Sequence, residues 1–163
     1  MFLAHSMNWE LKVTGEVAIA MILGGLIGLE REAAHKPAGF RTHMLVAGAA
    51  ALLVGLGHAL VKEFGQEVGR LQSDPIRIVE AIVTAVGFLG AGTIFRREQS
   101  EVVEGLTTAA ALLLCAALGV CVAVERFILA GGVTVLTLIV LRGVGWLERK
   151  VRPKEPPPPK VQA

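Results

Sequence analysis

The chain has 163 residues, of which 53% are apolar and 18% are Asp, Glu, Lys or Arg, with a formal net charge of +2. A soluble domain carries about 25% charged residues spread over its surface; here the charges cluster between long uncharged runs. So small a net charge, with no tyrosine and no interleaving of aromatic with basic residues, argues against nucleic acid as a partner.

Residues 1–12 include Glu10 and Lys12, and no small-residue cleavage site leads into a polar domain. This is not the pattern of a cleaved signal peptide, so 1–12 reads as an external segment before a retained span. Run one covers 13–29 and is broken by Glu16. Run two covers 44–61 with His58 its one titratable residue, and run three covers 78–95 with Glu80 near its start. Run four, 105–124, is uncharged, and run five, 127–141, reaches span length by continuing to Leu147 past a snorkelling Arg142. A spanning helix needs about 20 largely apolar residues. Lipid offers the backbone no hydrogen-bond partner, so each run is expected to be a helix. The expected fold is therefore all-α: a polytopic membrane protein with five transmembrane helices over residues 13–150. The stretch PKEPPPPK at 153–160 favours extended polyproline, so 151–163 is expected to be a disordered, Pro-rich cytoplasmic tail. Cys115 and Cys121 lie on different faces of run four and read as small core residues, not a disulfide.

With five spans, one side receives eleven Lys and Arg residues, from 30–43, 96–104 and the C-terminal segment, and the other receives five. The richer side is expected to be cytoplasmic and the N-terminus external.

A shift of 66 residues aligns the first two spans on the third and fourth without a gap, giving eleven identities over 38 positions. Arg31/Arg97, Glu32/Glu98, Gly39/Gly105 and Thr42/Thr108 are among them, and apolar bias does not explain those loop positions. Both pairs cross in the same sense, so the repeat is parallel. The expectation is a pseudo-twofold core of four helices with the fifth at its edge. Gly24 with Gly28, Gly87 with Ala91, and Ala51 with Gly55 are small residues at helical spacing, expected to let helices approach closely. A homo-oligomeric interface is the alternative use of the same residues.

Polar residues gather in two repeated loops. In the first, Glu30, Arg31 and Glu32 end a span, Lys36-Pro37 and Gly39 make a turn, and Arg41, Thr42 and His43 open the next. The second has Arg96, Arg97 and Glu98, then Glu104 and Gly105 before Thr107 and Thr108. Thr42, and Thr107 or Thr108, are the expected helix caps. The loops are expected to meet as one cluster of mixed charge that either locks the turns or binds an ion, a phosphate group or a partner protein.

The segments GLERE at 28–32, KPAGFRTHMLV at 36–46, GFLGAGTIFRR at 87–97 and GLTTAA at 105–110 resemble the MgtC/SapB family of bacterial inner-membrane proteins over residues 17–142. The resemblance implies an inner-membrane protein of several spans, linked to growth in low magnesium and, in pathogens, to virulence. It implies regulation of membrane partners, the ATP synthase or a transporter among them, more than direct transport. Glu104 stands where members often have a basic residue, and Leu113 where many have tryptophan. No counterpart of the cytoplasmic C-terminal domain of MgtC itself is expected, which makes a short SapB-type member the closer comparison.

The alternative function is a magnesium or other cation transporter or channel. Glu16 and Glu80 sit at similar external depth, offset by 64 residues, and are the residues that would ring a metal-binding mouth. No Ser-His-Asp arrangement, metal motif or phosphate loop is present, so neither enzymatic activity nor a cofactor is expected.

Overall fold

The computed structural model describes residues 2–64, 74–96 and 103–151. Five helices dominate: α1 (Phe2–Ala33), α2 (Phe40–Phe64), α3 (Pro75–Ala91), α4 (Leu106–Ala123) and α5 (Phe127–Val151). Three of them contain stretches long and apolar enough to cross a membrane: Met7–Ala33, Phe40–Glu63 and Leu106–Ala123. The 17 residues of α3 are fewer and lie at the lower limit for a span, as does the apolar stretch of α5 within the fully described residues, Phe127–Gly143. The expected polytopic all-α membrane architecture is therefore present. The expected tail at 153–160 lies outside the described residues.

Helix boundaries differ from the hydropathy runs at several points. α1 begins well before residue 13, because Glu10 and Lys12 do not break a helix that continues into water. The third run was expected to remain helical to Phe95, but α3 ends at Ala91. Two turn residues follow, and Phe95–Arg96 (β1) pairs antiparallel with Val103–Glu104 (β2), Phe95 facing Glu104. Gly105 then enters α4 with φ 95°, a left-handed conformation that glycine adopts without a Cβ penalty. A Cβ there would also collide with the Thr93 carbonyl oxygen.

α1, α2 and α4 pack against one another, α3 lies against α4 and α2, and α5 against α1 and α4. Their shared interior is apolar and mostly small: Ala20 and Ile27, Ala47, Ala50 and Ala51, then Leu112, Cys115, Ala116 and Leu118 are all at most 2% exposed. Cys115 and Cys121 are free thiols. Thr134 and Thr137 of α5 are buried, but their hydroxyls donate to the carbonyls of Ala130 and Val133 on their own helix, which satisfies them without a neighbour.

The close approach of α1 and α2 depends on Gly24 and Gly28. A Cβ on Gly24 would stand 2.6 Å from the His43 carbonyl oxygen and one on Gly28 2.7 Å from the Phe40 Cα. A related contact occurs between α3 and α4, where a Cβ on Gly90 would lie 3.2 Å from that of Ala109. Gly24 and Gly90, like His43 and Ala109, are 66 positions apart, so one close contact recurs at the offset of the sequence repeat. The packing is otherwise asymmetric, since α1 is embedded among three helices and α3 is peripheral. Gly87 and Ala91, expected to pack, are both exposed, and nothing lies within 4 Å of a Cβ on Gly87. The face of α3 that meets α4 carries Ile82, Val86 and Gly90 instead.

α1 and α4 end alike. His35 donates to the Glu32 carbonyl and Lys36 to that of Arg31, while Glu125 donates to Val122 and Arg126 to Cys121. This is the Schellman pattern, and its left-handed residue is usually glycine. Here it is His35 (φ 54°) and Glu125 (φ 59°). His35→Gly is expected to stabilise the protein by about 0.5–1 kcal/mol, the left-handed strain relieved less the added entropy of an unfolded glycine. Thermal unfolding in detergent would measure the gain, and a loss would contradict it.

Candidate functional site

The chain exit from α1 and entry to α2 bring together most of the polar residues singled out in the first loop. α1 ends one turn beyond Gly28, so Arg31 follows Gly28 on the side that faces α2 and is only 4% exposed. Its Nε donates to Glu30 Oε2 at 2.6 Å. Neighbouring residues on a helix do not face each other, so this pair forms only because the long arginine stem folds back. His43, one turn into α2, is fully buried beside the two glycines. Its Nδ1 lies 2.9 Å from the Gly39 carbonyl oxygen, and its Nε2 has no hydrogen-bond partner.

The expected threonine caps do not form. The free amide of Phe40, the first residue of α2, donates to Glu32 Oε2 at 2.9 Å. A carboxylate from the last turn of α1 thus satisfies the helix start and meets its positive end. Thr42 lies inside α2, half-buried. At α4 the cap is Gly105 with no side-chain hydrogen bond; Thr107 is exposed and Thr108 is buried at 1% exposure. Thr108 is a core residue, and the backbone conformation of Gly105 replaces the expected side-chain cap.

The first loop therefore divides. Arg31 and His43 are interior, and Glu30 is half-buried. Glu32, His35, Lys36 and Arg41 remain exposed around them. In the second loop Glu104 is half-buried. The side chain of Arg96, and Arg97 and Glu98 entirely, fall outside what the structure describes, so the expected union of the two loops cannot be drawn from it.

Glu16 and Glu80 are not equivalent. Glu16 is buried at 6% exposure near the other end of the bundle, where it lines a cleft with Lys12, His58 and Glu125. Glu80 is exposed on α3 and does not line that cleft. Among the described residues, no group of three or more His, Cys, Asp or Glu is arranged to hold a metal ion. Lys12 and Glu125, neither of them an expected site residue, pair across 113 positions. The hydrogen bond from Lys12, reinforced by its charge, holds the exposed Glu125 carboxyl below the usual range. One signal pointed to this end of the protein: a glutamate inside a span is costly and marks a site.

The family model that matches this chain is that of the MgtC family, over residues 17–150. Protein SapB of Bacillus subtilis is 33% identical over 138 residues, covering 85% of this chain and 59% of SapB. The Escherichia coli protein named "Putative magnesium transporter YhiD" is 38% identical over 137 residues, 79% of this chain and 60% of that protein. Protein MgtC of Brucella abortus is 43% identical over 104 residues, 64% of this chain and 39% of that protein. The chain thus spans about 60% of the length of SapB and YhiD. No solved structure matches it significantly.

Proposed function

The chain belongs to the MgtC family, and from that premise we propose that it is a non-enzymatic regulator that binds other membrane proteins. The setting is adaptation to magnesium limitation or to a virulence-type stress. The protein acts in the bacterial inner membrane, N-terminus outside and C-terminus in the cytoplasm. Its docking residues are the exposed Glu32, Lys36 and Arg41, held in place by the buried Arg31 and His43. The partner is the ATP synthase or a transporter.

The observation that carries this reading is the apolar interior between the two polar ends. Glu16 and Arg31 are separated by about 22 Å along α1, at about 1.5 Å per residue. The buried side chains between them are alanine, isoleucine, leucine, valine and cysteine, with Thr134 and Thr137 of α5, whose hydroxyls are spent on their own helix. An ion crossing a bilayer needs polar groups or water along its path. A surface that recruits a partner needs them only at one end.

Arg41→Glu reverses an exposed charge without touching the core. It is expected to lower recovery of a membrane partner from native membranes about tenfold, or roughly 1.4 kcal/mol, while leaving thermal stability unchanged. Recovery of lipid alone with the unaltered protein would sink the regulatory reading. The buried Glu16 and the name of YhiD favour the alternative, magnesium or other cation transport. Flux of Mg²⁺ in proteoliposomes that disappears in Glu16→Gln with Glu80→Gln would establish it.

A further inference from the structure

Toward the end of the bundle away from the α1–α2 loop, a cleft of about 370 Å³ opens between the N-terminal half of α1, the C-terminal half of α2 and the α4–α5 turn. Its walls include Trp9, Lys12, Val13, Glu16, His58 and Glu125. The 18 residues of α4 rise about 27 Å, close to the thickness of a bilayer core. α4 ends at the cleft, so the cleft lies at the boundary between hydrocarbon and water.

Its polar groups do not balance. Lys12 donates to Glu125 and forms a looser ion pair with Glu16, its Nζ 3.7 Å from Oε1, beyond hydrogen-bond distance. The Glu16 side chain is 8% exposed, and its Oε1 accepts no hydrogen bond. A carboxylate oxygen withdrawn from water without a donor is uncommon in native proteins, because its desolvation is offset only by a donor or a cation. Two carboxylates share one ammonium, and the other titratable group on the wall, His58, donates to neither of them.

We propose that this cleft binds a protonated primary amine, with the Glu16 carboxylate accepting from its ammonium group. Hard divalent cations take six or more oxygen ligands or keep an ordered water shell, and the described residues assemble no such set. A primary ammonium is satisfied by less: one carboxylate oxygen without a hydrogen-bond donor and an aromatic wall, which Glu16 and the half-buried Trp9 supply. Such an amine reaches this depth from two sources, the ethanolamine headgroup of a membrane lipid or a free amine in the adjoining water. The site is independent of the partner-docking surface at the opposite end, so either proposal can fail without the other.

Trp9 is the natural reporter, since the protein has two tryptophans and Trp146→Phe leaves it alone. The full chain with this substitution, in phosphatidylcholine nanodiscs, is titrated with ethanolamine, tetramethylammonium and Mg²⁺ while Trp9 emission is followed. A saturable response to ethanolamine alone is expected, weakened about tenfold or more, at least 1.4 kcal/mol, by Glu16→Gln. In phosphatidylethanolamine nanodiscs, a shifted emission that no longer responds to ethanolamine identifies the lipid as the source; a retained titration identifies the free amine. No saturable response in either bilayer would overturn the proposal. So would an equal response to tetramethylammonium, which has no N–H to donate, or a Glu16-dependent response to Mg²⁺. If Glu16→Gln fails to fold, the comparison of ethanolamine with tetramethylammonium on the parent protein decides.

Discussion

Gly24→Val is expected to separate α1 from α2 and cost about 3 kcal/mol or more, at the upper end of what overpacking costs. The first added carbon would already stand 2.6 Å from the His43 carbonyl oxygen and 2.8 Å from the Ala47 Cβ. The nearer of these is backbone, which cannot rotate aside. Relief requires sliding one helix, and the alanines of α2 that pack against α4 would lose contact with it. Gly24→Ala should cost less, about 1–3 kcal/mol. Gly87→Ala is the contrasting case: its Cβ meets open space, so the helix-propensity gain of about 0.5–1 kcal/mol remains. Denaturant titration of the three variants in detergent micelles measures the order. If Gly24→Ala and Gly87→Ala behaved alike, the close approach of α1 and α2 would be wrong.

Arg31→Ala is expected to destabilise the protein by about 3–5 kcal/mol, the usual cost of removing one partner of a buried ion pair. Glu30, whose side chain is 10% exposed, would be left without its guanidinium. The cost reflects the stranded carboxylate more than the strength of the pair. Pairing the change with Glu30→Gln should therefore recover a large part of the loss, because a neutral amide is far cheaper to bury. A double variant as unstable as the sum of the two single changes would show that the residues act independently. The same variants separate packing from docking. Arg31→Ala should lower stability and partner recovery together, whereas Arg41→Glu, at an exposed position, should lower recovery alone.

The polar residues show how far each level of information reaches. That Glu30, Arg31 and Glu32 close one helix and that Arg41, Thr42 and His43 open the next was legible in the order of charged and apolar residues. Which of them turn inward was not. Hydropathy placed Arg41 and Arg31 alike at a helix end, yet one is exposed and the other buried. The difference lies in rotation about the helix axis relative to a neighbour, and charge patterning carries no record of it. The helix starts were misread for a related reason. A threonine near a helix start predicts a local cap, but a carboxylate eight residues upstream and a left-handed glycine take that role. The small-residue spacing of Gly87 and Ala91 likewise pointed to the wrong face of α3. The repeat alignment, which pairs Gly24 with Gly90, contained the better signal.

Hydrophobic length and loop motifs are local properties of the chain, and from them alone follow the helical membrane class, the approximate helix positions and the family. The sequence also marks Glu16 as anomalous, since a carboxylate within a span is costly wherever the helix packs. What surrounds that residue follows instead from how the helices pack. Lys12 and Glu125 meet across 113 positions because α4 ends beside the first turns of α1. The cleft they line forms where the α4–α5 turn meets the N-terminal half of α1 and the C-terminal half of α2. Helix rotation and helix depth are set by the side chains that interlock along the whole interface, so no single stretch of the chain encodes them.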